Sequence, residues 1–226
     1  MNIGVVLASG KGTRMGLNEP KQFLLLNDKP LYIYTLETFS SCEKIDYIVL
    51  VTNEEYIEKV KKDISFYSLN KVKYIIKGGN TRQESVFNAL TKLKEEQVQN
   101  EDIILIHDSA RVLVSKDIIN NNIEACILYE AVDTVVPCVD SMIISYDKKK
   151  IDALASRDQL FSSQTPQTFK FDVIYKSHLS SYSKEATDDC SLVLSNGHDV
   201  HLVTGSKLNF KVTTKEDLKL LKALIK

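Results

Sequence analysis

The feature that most constrains the fold is an apolar run at residues 1–8 that passes straight into a glycine-rich loop, SGKGTRMG. Ile3, Val5, Val6 and Leu7 show no alternation of apolar and polar positions. A strand of that kind is covered on both faces, and the architecture that covers both faces of a sheet is a parallel sheet flanked by helices. The glycines then let the backbone turn tightly and point amide N–H groups at an anion.

The rest of the chain repeats this strand-loop-helix order. Strand patterns are expected at 45–51, 72–76 and 102–106, and helical patterns at 33–39, 54–62 and 81–93. The alternation persists to about residue 136. Between 137 and 157 it breaks into two short alternating runs around Asp147-Lys148-Lys149, which reads as a projecting hairpin. Beyond it, helices are expected near 172–178, 188–194 and from 214, with a strand at 200–203. With no repeat or linker composition in its 226 residues, the chain reads as one α/β domain, 1–226. The expected fold is a Rossmann-like three-layer sandwich with a mainly parallel sheet and a β-arm at 137–157. In such sheets ligands bind beyond the carboxyl ends of the strands. Both the glycine loop and His107-Asp108-Ser109-Ala110-Arg111 fall at such ends.

Composition narrows the partners. The net charge of −1 offers no general basic field for nucleic acid. The apolar run at the N-terminus, MNIGVVLASGKG, is too short for a signal-peptide core or a membrane span. The four cysteines, Cys42, Cys126, Cys138 and Cys190, form no C-x-x-C pair and suit free thiols in a reducing, cytoplasmic setting.

The chemistry must then come from local clusters. The loop Ser9-Gly10-Lys11-Gly12-Thr13-Arg14-Met15-Gly16 lacks the G-x-x-x-x-G-K-[ST] spacing of a P-loop. Its third glycine comes one residue late for the dinucleotide fingerprint, which argues against a nicotinamide or flavin oxidoreductase. A plain tight turn would also carry glycines, but here Arg14 and Pro20-Lys21 come next. An amide cradle with two cations is what a triphosphate needs, because charge grows on its oxygens as pyrophosphate departs. Retention of both cations also argues against a nucleotide-binding module without activity.

At this point the sequence resembles a known family. The loop with its PK, then GGNTRQESV, HDSAR, QTPQTF, TDDCSLV and NFKVTTKEDL, run in order through nearly the whole chain. Together they are similar to the cytidylyltransferases that include 4-diphosphocytidyl-2-C-methyl-D-erythritol synthase and ribitol-5-phosphate cytidylyltransferase. The resemblance implies transfer of CMP from CTP to a polyol phosphate with Mg²⁺ or another divalent cation. It implies a triphosphate cradle at Ser9, Gly10, Lys11 and Gly12, and transition-state stabilisation by Arg14 and Lys21. It puts cytosine against Ala8, Ser9, Gly79 and Ser85, with Asn80 where relatives often have an acid. Asp108 would bind polyol hydroxyls, and Arg111, Ser141, Arg157, Thr165 and Lys211 would surround the polyol phosphate. In this family the arm joins two subunits and delivers Arg157 to the neighbour's site, so a homodimer is implied.

The physics is compatible with those roles. CTP and a phosphate monoester bring about five or six negative charges together, and clustered Arg and Lys with a divalent cation offset their repulsion. A phosphate oxygen is already anionic, so no general base is required, and His107 reads as a buried hydrogen-bonding residue. Val112 stands where many relatives have Pro, and Asp140-Ser141 replaces an Asp-Thr pair while keeping a hydroxyl. The segments Arg82 to Val86 and Thr187-Asp188-Asp189 resemble the methylerythritol enzyme, whereas Ala131 to Val136 resembles the ribitol one. The balance favours 2-C-methyl-D-erythritol 4-phosphate, with D-ribitol 5-phosphate as the alternative.

Overall fold

The computed structural model describes residues 1–10, 19–180, 186 and 188–225. Lys11, Gly12 and Arg14, three of the residues singled out above, lie outside the described residues, as does Thr187.

Seven strands form the main sheet: β1 (Asn2–Ala8), β4 (Tyr47–Thr52), β5 (Val72–Lys77), β6 (Ile103–Asp108), β7 (Ala131–Pro137), β10 (Phe161–Lys170) and β11 (His201–Thr204). Their order is β11-β7-β10-β6-β1-β4-β5. Two small two-stranded sheets stand apart: β2 (Leu25–Leu26) with β3 (Lys29–Pro30), and β8 (Ile143–Ile144) with β9 (Ala153–Leu154). All pairings in the main sheet are parallel except those of β10, which runs antiparallel between β6 and β7.

The residue pattern explains the layers. Side chains alternate across a strand, and both sets here are apolar. On one face Val6, Ile48, Leu50 and Leu105 pack with Leu36 and Phe39 of α1 (Leu31–Ser40), Val60 of α2 (Ile57–Phe66) and Ile119 and Ile123 of α4 (Lys116–Tyr129). On the other, Ile3, Val5, Val49, Ile104 and Ile106 pack with Val86 and Leu90 of α3 (Arg82–Glu95), Ile174 of α5 (Phe171–Ser180) and Val193 of α6 (Asp189–Ser195). A third cluster fastens α7 (Lys215–Leu224): Leu221 and Val212 pack with Leu26, Leu31 and Val112. Val112 thus takes part in a buried apolar contact.

Helix starts are set by capping. Thr81 accepts a bond from the Glu84 amide at the head of α3, and Asp188 and Thr214 form capping boxes at α6 and α7.

The expected elements are present, with boundaries moved by a residue or a few. The polar helix expected over 54–62 opens as a short 3-10 turn, Glu54–Tyr56, and continues as α2. One long element was not expected. β10 spans ten residues and lies in the middle of the sheet. Its sequence, FSSQTPQTFK, is polar and contains Pro166, which argues against a central strand. The register shifts between Ser163 and Gln167, around the proline, so the ladder is interrupted where the missing N–H would otherwise be needed. Among the described residues no helix is long and apolar enough to cross a membrane.

Candidate active site

The connection from β1 leads by α1 to β4 on one side, and β6 lies on β1's other side. A crevice opens at the carboxyl ends of such neighbouring strands. There the structure has a cleft of about 320 Å³, lined by Ser9, Gly10 and Lys21 on one wall and Gly79, Asn80 and Ser85 on another. Asp108 and Lys211 close it. Segments far apart in sequence are thus brought to one cavity, and eight of the residues selected from sequence line it.

The β1 loop is held from below. Gln22, 2% exposed, donates from its amide nitrogen to Ala8 O at 2.7 Å and to Gly10 O at 2.9 Å. Fixing those carbonyls fixes the peptide planes at the start of the glycine loop. Ala8 is buried and does not face the cleft. Gln22 belongs to a short turn, Lys21–Phe23, anchored by Phe23, whose ring stacks on Tyr56 with centroids 4.3 Å apart. Lys21 is therefore presented from a fixed backbone.

The opposite wall is a close approach of two backbones. A Cβ on Gly78 would come 2.6 Å from the Cβ of Ser9, so no larger residue fits without movement. The Ser85 hydroxyl accepts from the Gly79 amide at 3.0 Å and from the Ser9 hydroxyl at 3.1 Å, and donates to Thr81 O at 2.9 Å. Ser85 lines the cleft, but its hydroxyl is engaged in shaping the turn. The Asn80 amide is held by Glu84 Oε2 at 2.7 Å, leaving the exposed Asn80 side chain at the rim.

Asp108 is the one acid among the described lining residues. Its Oδ2 pairs with Lys211 Nζ at 2.7 Å and its Oδ1 with Arg82 Nε at 3.5 Å. Burial opposes ionisation of Asp108, but Arg82 and Lys211 outweigh it and hold the carboxyl well below the usual range. Lys211 reaches the site because Val212 is buried and its amide donates to Ala110 O at 2.9 Å.

The other predicted phosphate ligands are placed differently. The Thr165 hydroxyl accepts from the Asp108 amide at 3.1 Å and lies 3.1 Å from His107 Nδ1. Thr165 is buried and supports the β6 terminus rather than lining the cleft. Arg111 donates to Asn209 O at 2.9 Å and Ser163 O at 3.4 Å, while its buried Nε has no partner. Burial lowers the pKa of Arg111. Ser141 and Arg157 are on the arm, exposed, and do not line the cleft of their own chain; Arg157 donates to Val139 O at 3.0 Å.

His107 is fully buried, with Nε2 3.3 Å from Arg111 O. A carbonyl only accepts, so Nε2 carries the proton and Nδ1 accepts from Thr165. Burial pushes the pKa of His107 down from 6.5 to about 4. The unfolded chain therefore binds a proton below about pH 6.5 while the folded one does not until about pH 4. The stabilisation from neutral His107 is complete above the unfolded pKa and is lost as pH falls through this window, by up to about 1.4 kcal/mol per pH unit. In urea unfolding, the advantage of wild type over His107→Gln is expected to shrink between pH 6.5 and 5. An advantage that does not change with pH contradicts the buried neutral imidazole.

Among the lining residues not selected from sequence are Gln22 and Arg82, whose side chains shape the site. Gln22 adjoins Lys21 in PKQF, and Arg82 opens the segment Arg82 to Val86 directly after a helix cap, but neither side chain has a role in the site that is legible until the fold is known.

Comparisons with known proteins identify the family. The family described as 2-C-methyl-D-erythritol 4-phosphate cytidylyltransferase (IspD) matches residues 3–226. A 2-C-methyl-D-erythritol 4-phosphate cytidylyltransferase of Thermosipho melanesiensis is 42% identical over 222 residues, covering 98% of this chain and 96% of its own length. A ribitol-5-phosphate cytidylyltransferase of Vibrio parahaemolyticus is 39% identical over 229 residues, covering 100% of this chain and 96% of its own length. Among solved structures, the 4-diphosphocytidyl-2C-methyl-D-erythritol synthase of Anaerococcus prevotii superposes with a TM-score of 0.83 at 27% identity, covering 100% of this chain and 96% of the other.

Proposed function

Since the chain belongs to the family of 2-C-methyl-D-erythritol 4-phosphate cytidylyltransferases, we propose that it transfers CMP from CTP to 2-C-methyl-D-erythritol 4-phosphate and releases pyrophosphate. The observation that carries this reading is the convergence of the β1 loop, Lys21, Asp108 and Lys211 on one cleft at the strand ends.

In this reading an oxygen of the acceptor phosphate attacks the α-phosphorus of CTP, and the bond to the β-phosphate oxygen breaks. Lys21 stabilises the charge that develops on the phosphates, a role shared by Arg14 and the loop amides. Lys211 meets the acceptor phosphate and Asp108 its hydroxyls. The short, backbone-rich wall at Gly79 and Asn80 reads the cytosine edge.

Mg²⁺ would enter this site with the nucleotide rather than be held by a set of protein carboxylates. Such an ion keeps several waters and needs only one or two carboxylates beside phosphate oxygens. Asp108 is the one acid lining the described cleft, and both its oxygens are already paired. Such an ion would supply charge neutralisation for the departing pyrophosphate, beside the role of Lys21.

The enzyme would act as a cytoplasmic homodimer. Among the described residues β8 and β9 pair only with each other. The arm exposes Val139, Met142, Ile143, Ile144, Tyr146 and Leu154, the last two by 84% and 74%. An apolar two-stranded arm gains order when a partner covers it.

Pyrophosphate release tests the function. With CTP, 2-C-methyl-D-erythritol 4-phosphate is expected to give a higher kcat/KM than D-ribitol 5-phosphate, and CTP to be preferred over ATP and GTP by at least about 10²-fold. The Vibrio relative makes ribitol 5-phosphate the acceptor to compare. Equal use of ATP, or turnover with neither polyol phosphate, contradicts the reading.

A further inference from the structure

Arg82 joins two acids that come from different parts of the fold. It sits in the first turn of α3 and lines the cleft. Its Nη1 is 2.7 Å from Asp189 Oδ2, at the start of α6, and its Nε is 3.5 Å from Asp108 Oδ1. Asp189 is itself fixed. Its Oδ1 is 3.2 Å from His178 Nε2, and its amide donates to Gln167 Oε1 at 3.1 Å. The side chains of Asp189 and His178 are each 1% exposed. The chain His178–Asp189–Arg82–Asp108–Lys211 therefore runs from beneath α5 into the cleft.

Asp189 cannot be solvated by water and requires a cation. That anchors one edge of the guanidinium and leaves Nε turned to Asp108, a fixed fork that lysine does not reproduce. Asp108 has two cationic partners, and the two differ. Lys211 is assigned above to the acceptor phosphate, so on binding it is drawn away from Asp108. Arg82 is held on its other side by the buried Asp189, so it stays beside Asp108. A buried carboxylate that lost its only partner would be strongly disfavoured.

Resting on the acceptor assignment above, we propose that Arg82 is a positioning residue for the acceptor half of the site: anchored by Asp189, it holds the Asp108 carboxylate in place for the acceptor hydroxyls while Lys211 turns to the phosphate. Arg82 acts through Asp108 and takes no part in the transfer itself.

The test uses steady-state kinetics of the full chain with CTP and 2-C-methyl-D-erythritol 4-phosphate. Wild-type turnover is measured first. If it is absent, the acceptor assignment fails and this proposal falls with it. Given turnover, Arg82→Gln is expected to raise the KM for the acceptor about 10- to 100-fold, the range for a lost charge-assisted contact. The KM for CTP should stay within about threefold, and Arg82→Lys should recover part of the loss. Asp189→Asn should shift the acceptor KM in the same direction, and the double variant Arg82→Gln/Asp189→Asn should be no worse than Arg82→Gln alone. If Arg82→Gln fails to fold because it strands Asp189, the double variant is read in its place. An unchanged acceptor KM, an equal rise in both KM values, or additive losses in the double variant overturn the proposal.

Discussion

Lys21→Ala is expected to lower kcat by about 10²–10³-fold while weakening CTP binding much less, in keeping with loss of one preorganised charge-stabilising group. Two structural features support the size of the effect. Lys21 comes from a short turn whose neighbours, Gln22 and Phe23, are both buried. It is also joined to the β1 loop through the two bonds that Gln22 makes to Ala8 O and Gly10 O. A cation presented from a backbone held that firmly has less to reorganise as charge moves onto the departing pyrophosphate. Binding depends on several contacts shared along the cleft, so removal of one amine leaves most of it. Steady-state kcat, with CTP affinity from calorimetry, separates the two. Turnover near the wild-type rate would remove Lys21 from the catalytic assignment. Alternatively, a loss of affinity as large as the loss of rate would make it a binding group only.

Much of this site was legible because its residues are tied to strand ends. β1 and β6 are built on apolar runs, Ile3 to Ala8 and Ile103 to Ile106, and the residues at the end of each run necessarily lie at the carboxyl edge of the sheet. Ser9, Gly10, Asp108 and, just after β5, Gly79 could be placed before the fold was known. β10 was not legible. Its buried residues, Gln164 to Phe169, are mostly polar, and they are tolerated because they bond to one another and to neighbours. Gln167 donates to Asp133 Oδ1 at 3.1 Å and Asp188 Oδ2 at 2.8 Å, and Asn209 donates to Thr165 O at 2.9 Å. A polar strand stabilised by tertiary hydrogen bonds leaves no hydrophobic period to read. The same limit applies to Ser85 and Thr165. Sequence can mark them as hydroxyls near the site, but only coordinates show that those hydroxyls hold the Gly79 turn and the Asp108 amide. Arg82 is the clearest case. Its role depends on Asp189, 107 residues away, and no local pattern connects them.

Mixing an Arg157→Ala chain with a Lys21→Ala chain is expected to restore activity that neither chain has alone. Arg157 is exposed, and it does not line the cleft of its own chain. Yet it ends an arm whose apolar side chains, from Val139 to Leu154, are uncovered. If a second copy covers that arm, Arg157 is brought to the partner's acceptor site, and each site combines Lys21 of one chain with Arg157 of the other. A mixed dimer then has one site with both lesions and one with neither. At equal amounts and full exchange about half the dimers are mixed, so recovery should approach roughly a quarter of wild-type activity, assuming independent sites. Sites confined to single chains would each keep one lesion, and mixing would recover nothing. Subunit exchange is verified separately by isolating dimers that carry two different affinity tags. Verified mixed dimers without activity, or a monomer in solution at micromolar concentration, would refute the shared site. Either result would leave the family assignment intact, because that assignment rests on residues 3–226 of one chain and the shared site on how two chains meet.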